Sequence, residues 1–326
     1  MSNVIKVIGV LLYMIPIEMV INIESSIKQF EKLLRNYLTI QGGYILTEGN
    51  EIQNRYKGIL YVIVASLLWS TGGILIKFID GNPIGIAGAR SLIAFLIMLI
   101  YIKKPKITGS KTQILGASAY ALTVICFVIA NKMTTSANAI LLQFTAPIFV
   151  VLLGFFLLKE KIHNYDIITI IAVFSGMTLF FVKDVNPGNM VGNIVAIFSG
   201  FFLAGTTVSL RMQKDGSAVE TTLLGNLFAF IVSVPFLFQI NFDSKSILAI
   251  ILLGVFQLGI SYILYAKSLK YITAIEAILI TAIEPLLNPL WVFLFDGENP
   301  GIYPIIGGII VLISVISRNI YIVRKN

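Results

Sequence analysis

One cysteine and one histidine occur in 326 residues. Cys126 lies inside an apolar run and His163 in a charged stretch. The sequence therefore offers no disulfide framework, no Cys/His metal set and no histidine paired with a nucleophile. No metal site and no catalytic residue are assigned, and most hydrolase and metalloenzyme readings fall away. A phosphate-cradling P-loop pattern is also missing, which argues against ATP-driven transport and leaves no cofactor to expect. Charge is scarce as well: Asp, Glu, Lys and Arg make up 12% of the chain, about half of the roughly 25% usual in soluble domains.

What is abundant is apolar surface. Hydrophobic residues make up 57% of the chain and the mean hydropathy is +0.91, so the chain reads as an integral membrane protein partnered by the lipid bilayer. A spanning helix needs roughly 20 mostly apolar residues. Ten such runs are present, at about 58–79, 83–102, 113–131, 135–158, 165–183, 191–212, 219–239, 246–267, 273–295 and 302–322. They are numbered one to ten below. Turn-forming stretches such as Asp80-Gly81-Asn82-Pro83 and Lys103-Lys104-Pro105 separate them. The runs are too long, and alternate too little, to be barrel strands.

The distribution of basic residues sets an orientation. If run one starts in the cytoplasm, the inner loops hold 15 Lys and Arg and the outer loops hold 4. This asymmetry explains the +8 net charge without invoking nucleic acid. It also places both ends of the ten-run core in the cytoplasm, in a plasma or inner cell membrane.

A proline-centred segment occurs twice, 138 residues apart. Thr135, Ala139-Ile140-Leu141 and Pro147 in run four return as Thr273, Ala277-Ile278-Leu279 and Pro285 in run nine. Runs one to five and six to ten are then related halves, spanning residues 57–185 and 186–326. Because five is odd, the second half enters from the opposite side, giving an inverted repeat. The expected fold is thus an all-α integral membrane protein with ten transmembrane helices in two inverted five-helix repeats. Residues 1–56 lie outside the repeat. They hold an apolar stretch, Val4 to Ile23, and an amphipathic one, Glu24 to Leu38, with no role assigned.

Polar groups at mid-membrane depth are the candidate site, because an ionisable side chain there costs at least about 2.5 kcal/mol. Glu284 precedes Pro285 near the middle of run nine. Pro285 and Pro147 each lack an N–H and crowd the carbonyl four residues back, those of Thr281 and Gln143, so both helices are expected to bend there. Thr281, Glu284, Asn288 and Trp291 fall on one helical face. Glu284 reads either as a proton-coupling or amine-binding group, or as a carboxyl that fastens the kink. Arg90, in run two, is either an anion contact, a partner for Glu284, or an arginine snorkelling toward the outer surface. Gln257, Trp69, Ser70 and Gln143 complete the cavity-lining candidates. Glu276 reads as an interfacial charge near Lys270, Lys159-Glu160-Lys161 as a solvated loop, and Gly307-Gly308 as a close-packing pair.

Leu68-Trp69-Ser70, Arg90-Ser91-Leu92, Pro147 followed by Lys159-Glu160, and Glu284-Pro285 followed by Gly297-Glu298 together make the chain resemble the EamA-type proteins of the drug/metabolite transporter superfamily. The resemblance covers about 57–322. It implies a central cavity between inverted halves and export or exchange of amino acids, related metabolites or drugs without ATP. It singles out Trp69, Arg90, Pro147, Glu160, Glu284, Pro285 and Glu298. The expected activity is secondary active transport of a small-molecule solute by alternating access, with protons as the candidate coupling ion. An exchanger of phosphorylated or nucleotide-linked sugars and a non-transporting membrane sensor are the alternatives. The sequence leaves oligomeric state open.

Overall fold

The computed structural model describes residues 50–180, 182, 189–214, 216–287 and 302–325. Among these the chain is all-helical, with no strand beyond an isolated bridge between Gly81 and Ile240. Among the described residues, eight helices are long and apolar enough to cross a membrane. Run five is the shorter helix Asn164–Phe180, of 17 residues, and run nine continues past 287 outside the described residues. The N-terminal segment 1–49, Asn288, Trp291, Gly297 and Glu298 also lie outside them.

Helix ends form where the sequence supplies caps. Asn82 accepts from the amide of Ile84 at 2.9 Å ahead of Pro83, which opens the helix Pro83–Ile102. Ser110 caps Lys111–Met133 through the amide of Gln113, and Asp243 caps Ser244–Leu252 through that of Ser246. Each cap satisfies amides that have no partner within the first turn. Proline at the first helical position costs nothing there, since its missing N–H would be unbonded anyway.

The interiors of four runs are irregular. Run one stops at Trp69, turns through Ser70-Thr71 and restarts as Gly72–Lys77. The hydroxyls of Ser70 and Thr71 donate back to the carbonyls of Leu67 and Leu68. Run four is Ser136–Gln143, a turn at Phe144-Thr145, then Ala146–Leu153. Run nine is Ala274–Ile280, a turn at Thr281-Ala282, then a helical stretch over 283–287. Run eight widens into a π-helix at Leu253–Ile260. The repeated prolines thus do more than bend their helices. Pro147 sits in the first turn of a new helix, and i→i−3 bonds such as Thr145 N to Leu142 O and Ala282 N to Leu279 O tighten the chain before each restart. A proline is at ease in a first turn, so a break is less strained than a bent continuous helix.

Matching helices of the two halves meet. Run two packs on run seven and run five on run ten, while run three packs on runs six and seven and run eight on runs one and two. Exchanging the halves maps this set of contacts onto itself. At the run five–run ten contact, Gly176 and Gly307 bring the backbones together: a Cβ on Gly307 would lie 2.5 Å from the Gly176 carbonyl.

Among the described residues, three ion pairs join the halves at one end of the bundle. Arg55 pairs with Glu276, Arg211 with Glu160 and Arg318 with Asp166. Glu276 is therefore buried against Arg55, not an interfacial partner of Lys270. Glu160 is not a solvated loop residue either: its carboxylate also accepts from the amide of Ala274, at the start of run nine, at 3.5 Å. At the other end the halves meet through neutral groups, including Asn82 with Gln239 at 2.8 Å and Thr134 with Asn193 at 2.8 Å.

Candidate functional site

A small cavity lies between the halves. Its polar wall is Trp69, Arg90, Thr123, Gln143, Gln257, Tyr262 and Glu284, and its apolar wall includes Val124, Phe127, Leu203 and Leu258. Trp69, Gln143 and Glu284 lie at the three broken helices and Gln257 lies in the π-helix. The reason is physical. A regular helix satisfies its own backbone and offers only side chains, whereas a break re-aims side chains and leaves polar backbone that needs a wet or protein-lined surface.

Arg90 is fully buried, with 0% exposure. Its Nη1 donates to Oε1 of Gln257 at 2.9 Å and its Nη2 to the carbonyl of Val124 at 3.0 Å. Snorkelling is thus excluded, because the guanidinium turns inward to groups that replace water. Arg90 and Glu284 line the same cavity without forming an ion pair, so the site presents one cation and one carboxyl to whatever enters. Gln143 donates to the hydroxyl of Ser199 at 2.7 Å, and Ser199 donates to the carbonyl of Thr123 at 3.1 Å, tying run four to runs six and three.

One side of the cavity is aromatic. The ring of Trp69 lies 4.8 Å from that of Tyr262 and 5.0 Å from that of Tyr265, and Tyr120 meets Tyr262 edge-on at 4.6 Å. The phenol of Tyr265 bonds the hydroxyl of Thr207 at 2.8 Å. Tilted and edge-to-face contacts of this kind hold aromatic rings in fixed orientations.

Of the sequence-derived candidates, Trp69, Arg90, Gln143, Gln257 and Glu284 converge here from four runs of the first and second halves and from run two. Thr281 does not line the cavity. The break at Thr281-Ala282 interrupts the single polar face expected for run nine, and the Thr281 hydroxyl bonds the carbonyl of Ile278 at 2.7 Å. Ser70 is buried at the run one break and bonds Leu67, again away from the cavity lining. Asn288 lies outside the described residues. Sequence reasoning missed Tyr262 and Thr123. Tyr262 had a visible signal, being one of two tyrosines, with Tyr265, in the mostly apolar run that also holds Gln257. Thr123 had none, since Ser and Thr bonded to their own helix are common in membrane helices.

Comparison with known proteins agrees with this architecture. An uncharacterized transporter of Clostridium kluyveri is 23% identical over 80% of this chain and 92% of its own length. The pseudopaline exporter CntI of Pseudomonas aeruginosa is 22% identical over 80% of this chain and 95% of its own. A protein of known crystal structure superposes with a TM-score of 0.68 at 16% identity, covering 82% of this chain and 98% of that one, and so shares the fold. The EamA-like transporter family matches residues 56–182 and again 190–319. With both matches together spanning most of its length, this multi-pass membrane chain belongs to the EamA-like transporter family.

Proposed function

We propose that the protein is a secondary active transporter that moves a small organic solute, an amino acid, related metabolite or drug, across the cell membrane by alternating access. The observation that carries this reading is the cavity itself: a charged, aromatic-walled chamber at helix breaks, enclosed between the two halves. The direction is export or exchange, in keeping with a pseudopaline exporter among its relatives. Its frame is ten helices in two inverted repeats, over residues 57–185 and 186–326, with both ends of the core cytoplasmic. The self-mapping helix contacts and the loop charges support this frame.

In this reading Trp69, Arg90, Gln143 and Gln257 bind solute, and Glu284 exchanges a proton or holds the solute's amine. A phosphorylated-sugar exchanger fits less well, because such cargo calls for several cationic side chains and Arg90 is the one cation lining the cavity among the described residues. Purified protein in liposomes, screened with amino acids, sugars and cationic drugs, should accumulate or exchange at least one class. Glu284→Gln should abolish pH-driven flux and spare solute exchange. Binding without any flux across the screen would favour a sensor instead, and pH-driven flux surviving Glu284→Gln would remove the coupling role.

A further inference from the structure

Two N–H donors at the cavity have no acceptor. Nε of Arg90 and Nε1 of Trp69 are both buried and lack a hydrogen-bond partner among the described residues. Both belong to side chains that line the same chamber. The other buried polar atoms in this condition, on Ser91, Tyr120, Asn131, Asn226 and Arg318, are on residues that do not line it. A buried donor left unbonded carries its full desolvation cost, more so when charged. Two of them on one small chamber mark a place built for acceptor oxygens.

We propose that Arg90 and Trp69 form an oxyanion subsite that takes the carboxylate of the transported solute, with Gln257 and Gly72 positioning the arginine. The proposal rests on the transport reading above and names the solute end that this wall recognises. Arg90 bonds Gln257 through Nη1 and the Val124 carbonyl through Nη2, so its guanidinium plane is fixed and Nε is its one nitrogen without an acceptor among the described residues. Gln257 can sit there because residue 72 has no side chain: a Cβ on Gly72 would lie 3.0 Å from Gln257 Nε2 and 3.3 Å from its Cδ. A single cation matched by one neutral N–H suits a monoanionic carboxylate better than a phosphate, which draws several cations. Glu284 lines the same chamber, so a solute carrying both an amine and a carboxylate meets complementary groups in one fixed orientation.

The test uses the intrinsic fluorescence of the full-length protein. Trp69 and Trp291 are the two tryptophans of the chain, so Trp291→Phe leaves Trp69 as the single reporter. The probes are benzoate, benzylamine and phenylglycine, which place a carboxylate, an amine, or both beside one ring. Benzoate and phenylglycine should shift Trp69 emission saturably and more strongly than benzylamine does. Calorimetric titration of Trp69→Phe, which keeps the ring and loses the N–H, should show carboxylate probes bound about tenfold more weakly and benzylamine bound as before. Arg90→Gln should lose carboxylate binding altogether, and if it fails to fold the Trp69→Phe comparison decides alone. Equal response to benzylamine and benzoate, no response to any carboxylate probe, or a Trp69→Phe protein with unchanged preference would each overturn the subsite and leave its donors to water. Liposome flux of the wild type separates the two ideas. Flux with no carboxylate preference removes the subsite alone, whereas carboxylate-selective binding without flux of any solute removes the transport reading alone.

Discussion

Gly72 is where one missing methyl group has a specific consequence. Alanine is the better helix former, so Gly72→Ala should not weaken the short helix Gly72–Lys77 by itself. Its Cβ would nonetheless press on Gln257 at 3.0 Å, and the few tenths of an ångström that the Gln257 amide has to give are expected to weaken its bond to Arg90. The expected outcome is a KM for a transported carboxylate solute raised about tenfold, the loss of one hydrogen bond to a charged group, with thermal stability near that of the wild type. Gly73→Ala is the internal control: its nearest neighbours, Asn131 and Ser136, stand 3.8 Å away, and its KM should be unchanged. Equal effects of the two substitutions would show that Gly72 acts through the backbone and not through Gln257.

Helix elements in this protein differ in what their irregularities do. Runs two, three and six are regular helices that supply packing and, from runs two and three, Arg90 and Thr123. Runs one, four, eight and nine are interrupted, and each contributes a polar group to the cavity. The opposite design appears at the run five–run ten contact, where small residues let intact helices approach. A Cβ on Gly307 would lie 2.5 Å from the Gly176 carbonyl and 2.6 Å from the amide of Phe180. Neither is a flexible side-chain tip that can swing away. Gly307→Ala should therefore destabilise the fold by about 1–3 kcal/mol, the usual cost of overpacking, seen as a lowered unfolding midpoint in detergent. Gly308→Ala, whose nearest neighbour is the Phe180 ring at 3.6 Å, should stay within about 0.5 kcal/mol of wild type.

For the whole molecule, ion pairs at one end bind the two halves, and their burial ranks them. Arg318 and Asp166 expose 3% and 2% of their side chains, while Arg211 and Glu160 expose 17% and 19%. Removing one member of a fully buried pair leaves the other uncompensated, at a cost of about 3–5 kcal/mol. Partly exposed pairs contribute about 1 kcal/mol or less. Asp166→Asn should accordingly lower the unfolding midpoint far more than Glu160→Gln does. If the two variants melt together, the buried pair is not what holds this end closed. Arg318 also lies 5.8 Å from the centre of the Tyr165 ring, and Tyr165 stacks on His163. Runs five and ten are thereby fastened at this end as they are fastened mid-helix by Gly176 and Gly307.

The sequence by itself determined the solvent, the class and most of the parts. A chain so poor in charge and so rich in long, non-alternating apolar runs satisfies its backbone within lipid as helices, and the repeated proline points to the duplication that the two family matches share. Several polar liners were legible for the same reason: Glu284, Arg90, Gln257 and Trp69 stand out because polar groups are costly at mid-membrane and so are rarely idle. Tertiary structure decided which of them meet. Thr281 shares a helical face with Glu284 in the sequence pattern, yet the turn at Thr281-Ala282 rotates it away. Glu160 looks like a loop charge and Glu276 like an interfacial one until run six and the helix that leads into run one bring Arg211 and Arg55 against them. The placement of Arg90 came last of all. Whether a lone arginine snorkels or turns inward depends on what faces it, and only the packing of run eight against runs one and two sets Gln257 within 2.9 Å.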